Sequence, residues 1–303
     1  MTAHAAAPAV CTTLFVPGIR WSMLERAARS TADAVCLDLE DSVPAGQRDE
    51  ARAQVVRALQ SLDFAGKRRL VRVNAVASHE TYRDLIAIAD AAGAPFDGVM
   101  LPKVEHPGDI MFVDRLLAQI EGQHGSGRYA LEVQIESAAG WLDVAAIARA
   151  SSRIAALIFG PGDFAASLGA PLANIGEPDA ADADYPGHRW HAAMLTIVAA
   201  ARAVGAACYD GPYAAFRDEA GLIRSARTAR ALGFDGKQCI HPGQLAAVAG
   251  VFVPTEHDVR WAQRVIDALQ QATAARRGAV ALDGRMLDAA SIRLARQVLA
   301  RQR

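Results

Sequence analysis

Eight short apolar runs recur along this chain, each followed by a longer stretch of helical periodicity, and that alternation narrows the possible folds more than any other feature. The runs are Thr13 to Val16, Ala34 to Leu39, Leu70 to Asn74, Gly98 to Pro102, Ala130 to Glu136, Ile154 to Phe159, Ala206 to Tyr209 and Gly236 to Ile240. Between them, Gln47 to Leu59, Thr81 to Ala91, Ile110 to Ile120, His188 to Val204 and Phe216 to Leu232 carry apolar residues at helical spacing. Strands alternating with amphipathic helices imply repeated βα units around a parallel sheet, and eight such units predict a closed (β/α)₈ TIM barrel. A doubly wound open sheet would offer a GxGxxG loop after its first strand, and LFVPGIR is a poor match.

The 303 residues suffice for one barrel, residues 1–252, and a C-terminal helical extension, residues 253–303. In that extension the sequence predicts a helix from Glu256 to Arg276, a glycine-flanked loop with Asp283 and Asp288 that serves as a lid or arm, and a last helix to about Gln302. The segment from Pro171 to Gly187, rich in Ala, Asp, Pro and Gly, reads as a loop.

Hydrophobic residues make up 52% of the chain and charged ones 21%, a balance that buries a large core and argues against disorder. A net charge of −1 supplies no field to gather nucleic acid or an anionic membrane surface. The N-terminal MTAHAAAPAV lacks the basic region and apolar core of a signal peptide, so a cytoplasmic protein is expected. Cys11, Cys36, Cys208 and Cys239 form no CxxC pair and read as buried free thiols.

Barrel enzymes carry their chemistry at the C-terminal ends of the strands. Here those ends read LDLED, VRVN, LPKVE, LEVQIE, FGPGDF, YDGPY and CIHPGQ for strands two to eight. Alternate residues of a strand share a face, so Glu132, Gln134 and Glu136 point into the barrel opposite Leu131, Val133 and Ile135. The same alternation puts Asp38 and Glu40 on one face of strand two and turns Arg72 inward as a countercharge. A salt-bridge plug could be built from these residue types, but acidic, basic and glycine-containing ends on strands two to six together favour a site.

Two carboxylates from separate rigid strands, Glu136 and Asp163, suit Mg²⁺, which takes one or two protein carboxylates and completes its octahedron with water and substrate oxygens. His188 and His191 have no third ligand nearby in sequence and read as a solvated helix face. His241, just before Pro242, fits site lining and loop structure equally well.

Taken in order, LFVPGIR at Leu14 to Arg20, LDLEDSVPAGQRDEAR at Leu37 to Arg52, VRVN, LPKVE, VQIES, FGPGDFAASLG at Phe159 to Gly169, CIHPGQ and GRMLDAA resemble the citrate lyase β-subunit-like branch of the HpcH/HpaI aldolase superfamily. The resemblance covers nearly the whole chain. It implies a Mg²⁺-dependent lyase that cleaves or forms malyl-, citramalyl- or citryl-CoA, with an acyl-CoA thioester and a 2-oxo acid (pyruvate, glyoxylate or oxaloacetate) as partners in a homotrimer or hexamer. It also implies metal ligands at Glu136 and Asp163, an oxo-acid or enolate arginine at Arg72, and an aspartate at Asp288 that serves the neighbouring subunit's site. Where relatives continue with Met-Pro after that aspartate, this chain has Ala289 and Ala290.

Arg20, Lys103, Gly162 and His241 are the expected substrate contacts. Glu40 and Asp41 are expected to orient the metal's waters. Lys103 could also pair with Glu105 or Glu136, or act as the nucleophile of a metal-free Schiff-base 2-oxo-acid aldolase. Further alternatives are an acyl-carrier-dependent citrate lyase β subunit inactive alone, and a malyl-CoA thioesterase.

Overall fold

The computed structural model describes residues 10–91, 96–124, 129–179, 182, 188–275 and 277–302. The N-terminal stretch read for targeting, part of the Pro171 to Gly187 loop, and Arg276 at the expected helix end lie outside the described residues.

In chain order the elements are β1 (Thr12–Pro17), α1 (Trp21–Ala28), β2 (Ala34–Asp38), α2 (Arg48–Ser61), β3 (Arg68–Arg72), α3 (Thr81–Ala91), β4 (Gly98–Leu101) and α4 (Pro107–His124). There follow β5 (Ala130–Ile135), α5 (Ala138–Leu142), α6 (Val144–Ile147), β6 (Ile154–Phe159), α7 (Pro161–Leu168), α8 (His191–Ala203), β7 (Ala207–Asp210), α9 (Glu219–Leu232) and β8 (Gly236–Cys239). The chain ends with α10 (Leu245–Phe252), α11 (Glu256–Ala274), β9 (Val280–Leu282), β10 (Arg285–Leu287) and α12 (Ala289–Ala300).

Strands β1 to β8 pair in sequence order, all parallel, and β8 closes on β1 through Thr12–Lys237, Thr13–Gln238 and Leu14–Cys239. The eight strands read from the sequence are the eight staves of a closed barrel. Side chains alternate as expected. Ala34, Cys36, Leu70, Met100, Ala156, Ile158 and Tyr209 pack together as one buried cluster, with Phe15 against it. The opposite faces bury Val35, Leu37, Val71, Val133 and Ile135. Runs apolar on both faces suit strands covered by helices outside and packed within. The four cysteines are free and buried.

Inward charges on the staves are paired. Arg68 lies 3.2 Å from Glu132 at the N-terminal ends of β3 and β5, and Arg72 reaches Asp38 at the C-terminal end of β2. A further buried pair, Lys237 with Asp210, joins β8 to β7.

The described residues fall into two compact units, Val10–Ala249 and a C-terminal unit, Gly250–Arg303. Within the second, α11 and α12 bury Val265, Ile266, Leu269, Leu287 and Ala295 together. The segment expected as a loop is instead an antiparallel hairpin, β9 with β10. Asp283 (φ +48°) and Gly284 (φ +74°) form its turn, the two left-handed residues of a tight hairpin. Among the described residues no helix is long and apolar enough to cross a membrane.

Candidate active site

Charged side chains from β2, β3, β4 and β5 converge at the C-terminal rim of the barrel. Arg72, the last residue of β3, donates from Nε to Asp38 Oδ1 at 2.6 Å and from Nη2 to Asp38 Oδ2 at 2.8 Å. Its Nη1 lies 3.0 Å from Glu40 Oε2, and its guanidinium carbon sits 5.3 Å from the Phe15 ring centre. A guanidinium held along one edge and one face keeps a fixed orientation.

Asp38 receives more than Arg72: the amides of Glu40 and Ser42 donate to it at 3.0 and 3.2 Å, and Ser42 Oγ at 2.5 Å. Burial alone would raise the Asp38 carboxyl, but the Arg72 charge and these hydrogen bonds outweigh it and hold the group below the usual carboxylate range. Asp38 is the site residue missing from the sequence-based set. Strand alternation had already placed it on the face of Glu40, and the distance to Arg72 supplies its role.

Glu40 and Asp41 share one partner. Lys103 Nζ donates to Glu40 Oε1 at 2.6 Å and to Asp41 Oδ1 at 3.0 Å. The expected pairing of the Lys103 side chain with Glu105 or Glu136 is thus replaced by the two acids that follow β2, because the lysine side chain crosses the rim from β4. Burial works against the ammonium, yet the hydrogen bonds to Glu40 and Asp41 hold it above the ordinary lysine range. That disfavours the Schiff-base reading, which needs a neutral amine.

Glu136, directly after β5, is 4% exposed and accepts the Lys103 backbone N–H on Oε1 at 2.7 Å. Its other oxygen has room only because residue 160 is glycine: a Cβ there would fall 2.4 Å from Oε2. Asp163 stands in the first turn of α7, exposed. Burial first, then the Asp163 charge, push Glu136 up to about 8, so the two carboxylates resist sharing this corner as anions. Two such oxygen donors fit a hard divalent cation that completes its shell with water and ligand oxygens.

Gly162 follows Pro161 at the N-terminus of α7, where no side chain caps the helix. Arg20 is exposed, immediately beyond β1 and before α1. His241 is engaged structurally: its Nδ1 accepts the Gly243 N–H at 3.0 Å, and its ring stacks on Phe216 at 5.0 Å between centres. Asp288 belongs to the C-terminal unit, where its carboxylate caps α12 by accepting the N–H groups of Ala290 at 2.9 Å and Ser291 at 3.2 Å. Asp283 binds Arg264 with both oxygens, at 2.8 and 2.9 Å.

A family model described as HpcH/HpaI aldolase/citrate lyase matches residues 12–242. An L-malyl-CoA/beta-methylmalyl-CoA lyase of Cereibacter sphaeroides (strain ATCC 17025 / ATH 2.4.3) is 39% identical over 298 residues, covering 95% of this chain and 93% of that protein. The mitochondrial citramalyl-CoA lyase of Homo sapiens is 33% identical over 284 residues, covering 91% and 80%. Among solved structures, protein CitE from Mycobacterium tuberculosis in complex with magnesium, acetoacetate and coenzyme A matches with a TM-score of 0.76 at 31% identity, covering 97% of this chain and 98% of that one. A citrate lyase from Burkholderia xenovorans LB400 shares the fold, with a TM-score of 0.83 at 21% identity over 98% and 92% of the two chains.

Proposed function

This chain belongs to the HpcH/HpaI aldolase/citrate lyase family, and from that premise we propose that it is a Mg²⁺-dependent carbon–carbon lyase acting on a 3-hydroxyacyl-CoA thioester of the malyl, citramalyl or citryl type. The observation that carries the reading is the buried Glu136 carboxylate, which occupies space that only a glycine at residue 160 leaves to it and feels the charges of both Asp163 and Arg72.

Glu136 and Asp163 would hold the ion, which would supply Lewis-acid polarisation to the substrate's 2-hydroxy-acid end. Arg72, oriented by Asp38 and Glu40, lies where negative charge develops. The bond between the hydroxyl-bearing carbon and its neighbour breaks as the hydroxyl passes its proton to solvent water, and that carbon becomes the carbonyl of a 2-oxo acid. The electron pair passes to the thioester fragment as an enolate, and the Arg72 charge stabilises it, a contribution of about 3 kcal/mol in a preorganised site. Asp288 of a neighbouring subunit delivers the proton that converts the enolate to acetyl-CoA, or removes it in the condensing direction. The uncapped start of α7 at Gly162 is available to an anionic group of the substrate, and exposed Arg20 to the phosphates of CoA. A trimeric or hexameric assembly belongs to the same proposal.

The test is a panel of malyl-, citramalyl- and citryl-CoA incubated with the purified chain and Mg²⁺, following free 2-oxo acid and acetyl-CoA. Cleavage of at least one thioester, abolished by EDTA and restored by Mg²⁺, is expected. Metal-independent turnover, or CoA release without a 2-oxo acid, would replace lyase chemistry with another reaction.

A further inference from the structure

Lys103 has a left-handed backbone, φ +51°, a conformation it shares among described non-glycine residues only with Ala65 and Asp283. Asp283 lies in the β9–β10 turn, and Ala65 in a turn before β3. Lys103 follows β4 on the rim of the site. A lysine gains nothing locally from this conformation: its Cβ crowds its own carbonyl, and its side chain lacks the short-range hydrogen bonds that help Asn or Asp. The surrounding structure must therefore hold it.

It is held from two sides. Its N–H is aimed at Glu136 and donates to Oε1 at 2.7 Å. The carbonyl of the next residue, Val104, is pressed against α5, where a Cβ on Gly140 would come within 2.3 Å of that oxygen. An ordinary φ at Lys103 would swing the amide away from Glu136 and the following carbonyl away from α5. Meanwhile the far end of the side chain grips Glu40 and Asp41 at 2.6 and 3.0 Å, and Glu40 is itself 3.0 Å from Arg72.

We infer that Lys103 is a two-ended positioning residue: its backbone amide sets the Glu136 carboxylate, and its ammonium clasps Glu40 and Asp41 so that Arg72 keeps its place. The catalytic part of this inference rests on the Mg²⁺-lyase reading above. It replaces both a substrate-binding and a nucleophilic lysine, each of which would need the amine free.

Three variants, K103A, K103G and K103R, separate the two ends, with Mg²⁺ affinity by calorimetry, thermal melting, kcat and KM as readouts. All three keep the backbone N–H, so Mg²⁺ affinity stays within about threefold of the parent. K103A and K103G lose the clasp, and kcat falls about 100-fold while KM moves less than about threefold, the scale seen when a group that orients a functional residue is removed. K103R restores a cation between the two acids and recovers at least about a tenth of the parent kcat. K103G melts above K103A, because glycine accepts φ +51° without strain.

A rise in KM alone would overturn the inference in favour of substrate binding. So would borohydride trapping of a 2-oxo acid on Lys103, a loss of Mg²⁺ affinity in K103A equal to that in E136Q, or K103G melting no higher than K103A. A parent protein that binds Mg²⁺ but cleaves no thioester would sink the lyase reading separately, while Mg²⁺ affinity and melting order would still judge the two anchors of Lys103.

Discussion

At the scale of single residues, Arg72 and Lys103 are each committed to carboxylates at the end of β2 and just after it, and the proposed function leaves Glu136 and Asp163 to hold a cation. Removing either ligand should therefore be felt in binding before it is felt in folding. E136Q and D163N are expected to bind Mg²⁺ at least about 100-fold more weakly, with turnover falling by a similar factor or more and an unchanged circular dichroism spectrum. Calorimetry alongside the thioester assay checks this. Asp38 supports a different prediction. Its folded-state carboxyl is held below the ordinary range, so the stability it contributes is present above the unfolded carboxylate pKa and lost as pH falls through the folded one. The stability gap between the parent and D38N should thus narrow as pH drops from about 5 to about 3, measured by urea titration. These residue types were readable from strand alternation, which placed Glu136, Arg72, Asp38 and Glu40 on inward faces. Partner choice was not: Lys103 crosses the rim to Glu40 and Asp41, 63 and 62 positions away, and no periodicity in one strand reports a contact of that separation.

At the scale of elements, the eight staves were legible because a barrel strand buried on both sides is a short run of apolar residues bounded by turn signals. All eight runs overlap observed strands, and Ile154–Phe159 has the same bounds. Short helices at the rim were harder. Helix α7 spans only Pro161–Leu168 and hides inside the FGPGDFAASLG motif, where Gly and Pro look like loop. The β9–β10 hairpin was missed although Asp283-Gly284 is a strong two-residue turn signal, because its strands have three residues each and show no clear alternation. The glycine before α7 makes the element-scale prediction. A methyl at residue 160 would fall 2.4 Å from Glu136 Oε2 and 2.5 Å from its Cβ, so G160A must displace the carboxylate or the start of the helix. A stability loss of about 1–3 kcal/mol is expected, together with a fall in Mg²⁺ affinity of about tenfold or more. Gly108, in α4 with nothing within 4 Å of where a Cβ would stand, is the control: G108A should bind Mg²⁺ normally and gain up to about 1 kcal/mol.

At the scale of the whole molecule, the question is where the proton for the enolate comes from. The barrel rim has Arg72 and Lys103 committed to carboxylates, and Glu136 is assigned to the metal, so no described rim residue among these is free to act as the acid. Asp288 lies in the other compact unit. Its carboxylate caps α12, and the Ser291 and Ala290 amides that donate to it hold it below the usual carboxylate range; proton delivery from it requires that cap to loosen when substrate binds. If Asp288 serves the neighbouring subunit's site, two inactive variants can repair each other. E136Q supplies an intact Asp288 but no metal corner; D288N supplies the corner but no acid. In a closed ring with one type of head-to-tail junction, mixed at equal amounts and randomly reassembled, a working site needs a D288N corner beside an E136Q donor. That combination arises at about a quarter of the junctions, so about 25% of parental turnover should return on mixing. Service within the same chain predicts no recovery at any ratio, since every polypeptide then carries its own defect. Reassembly from dilute denaturant followed by the thioester assay distinguishes the two, with separately refolded E136Q and D288N as blanks.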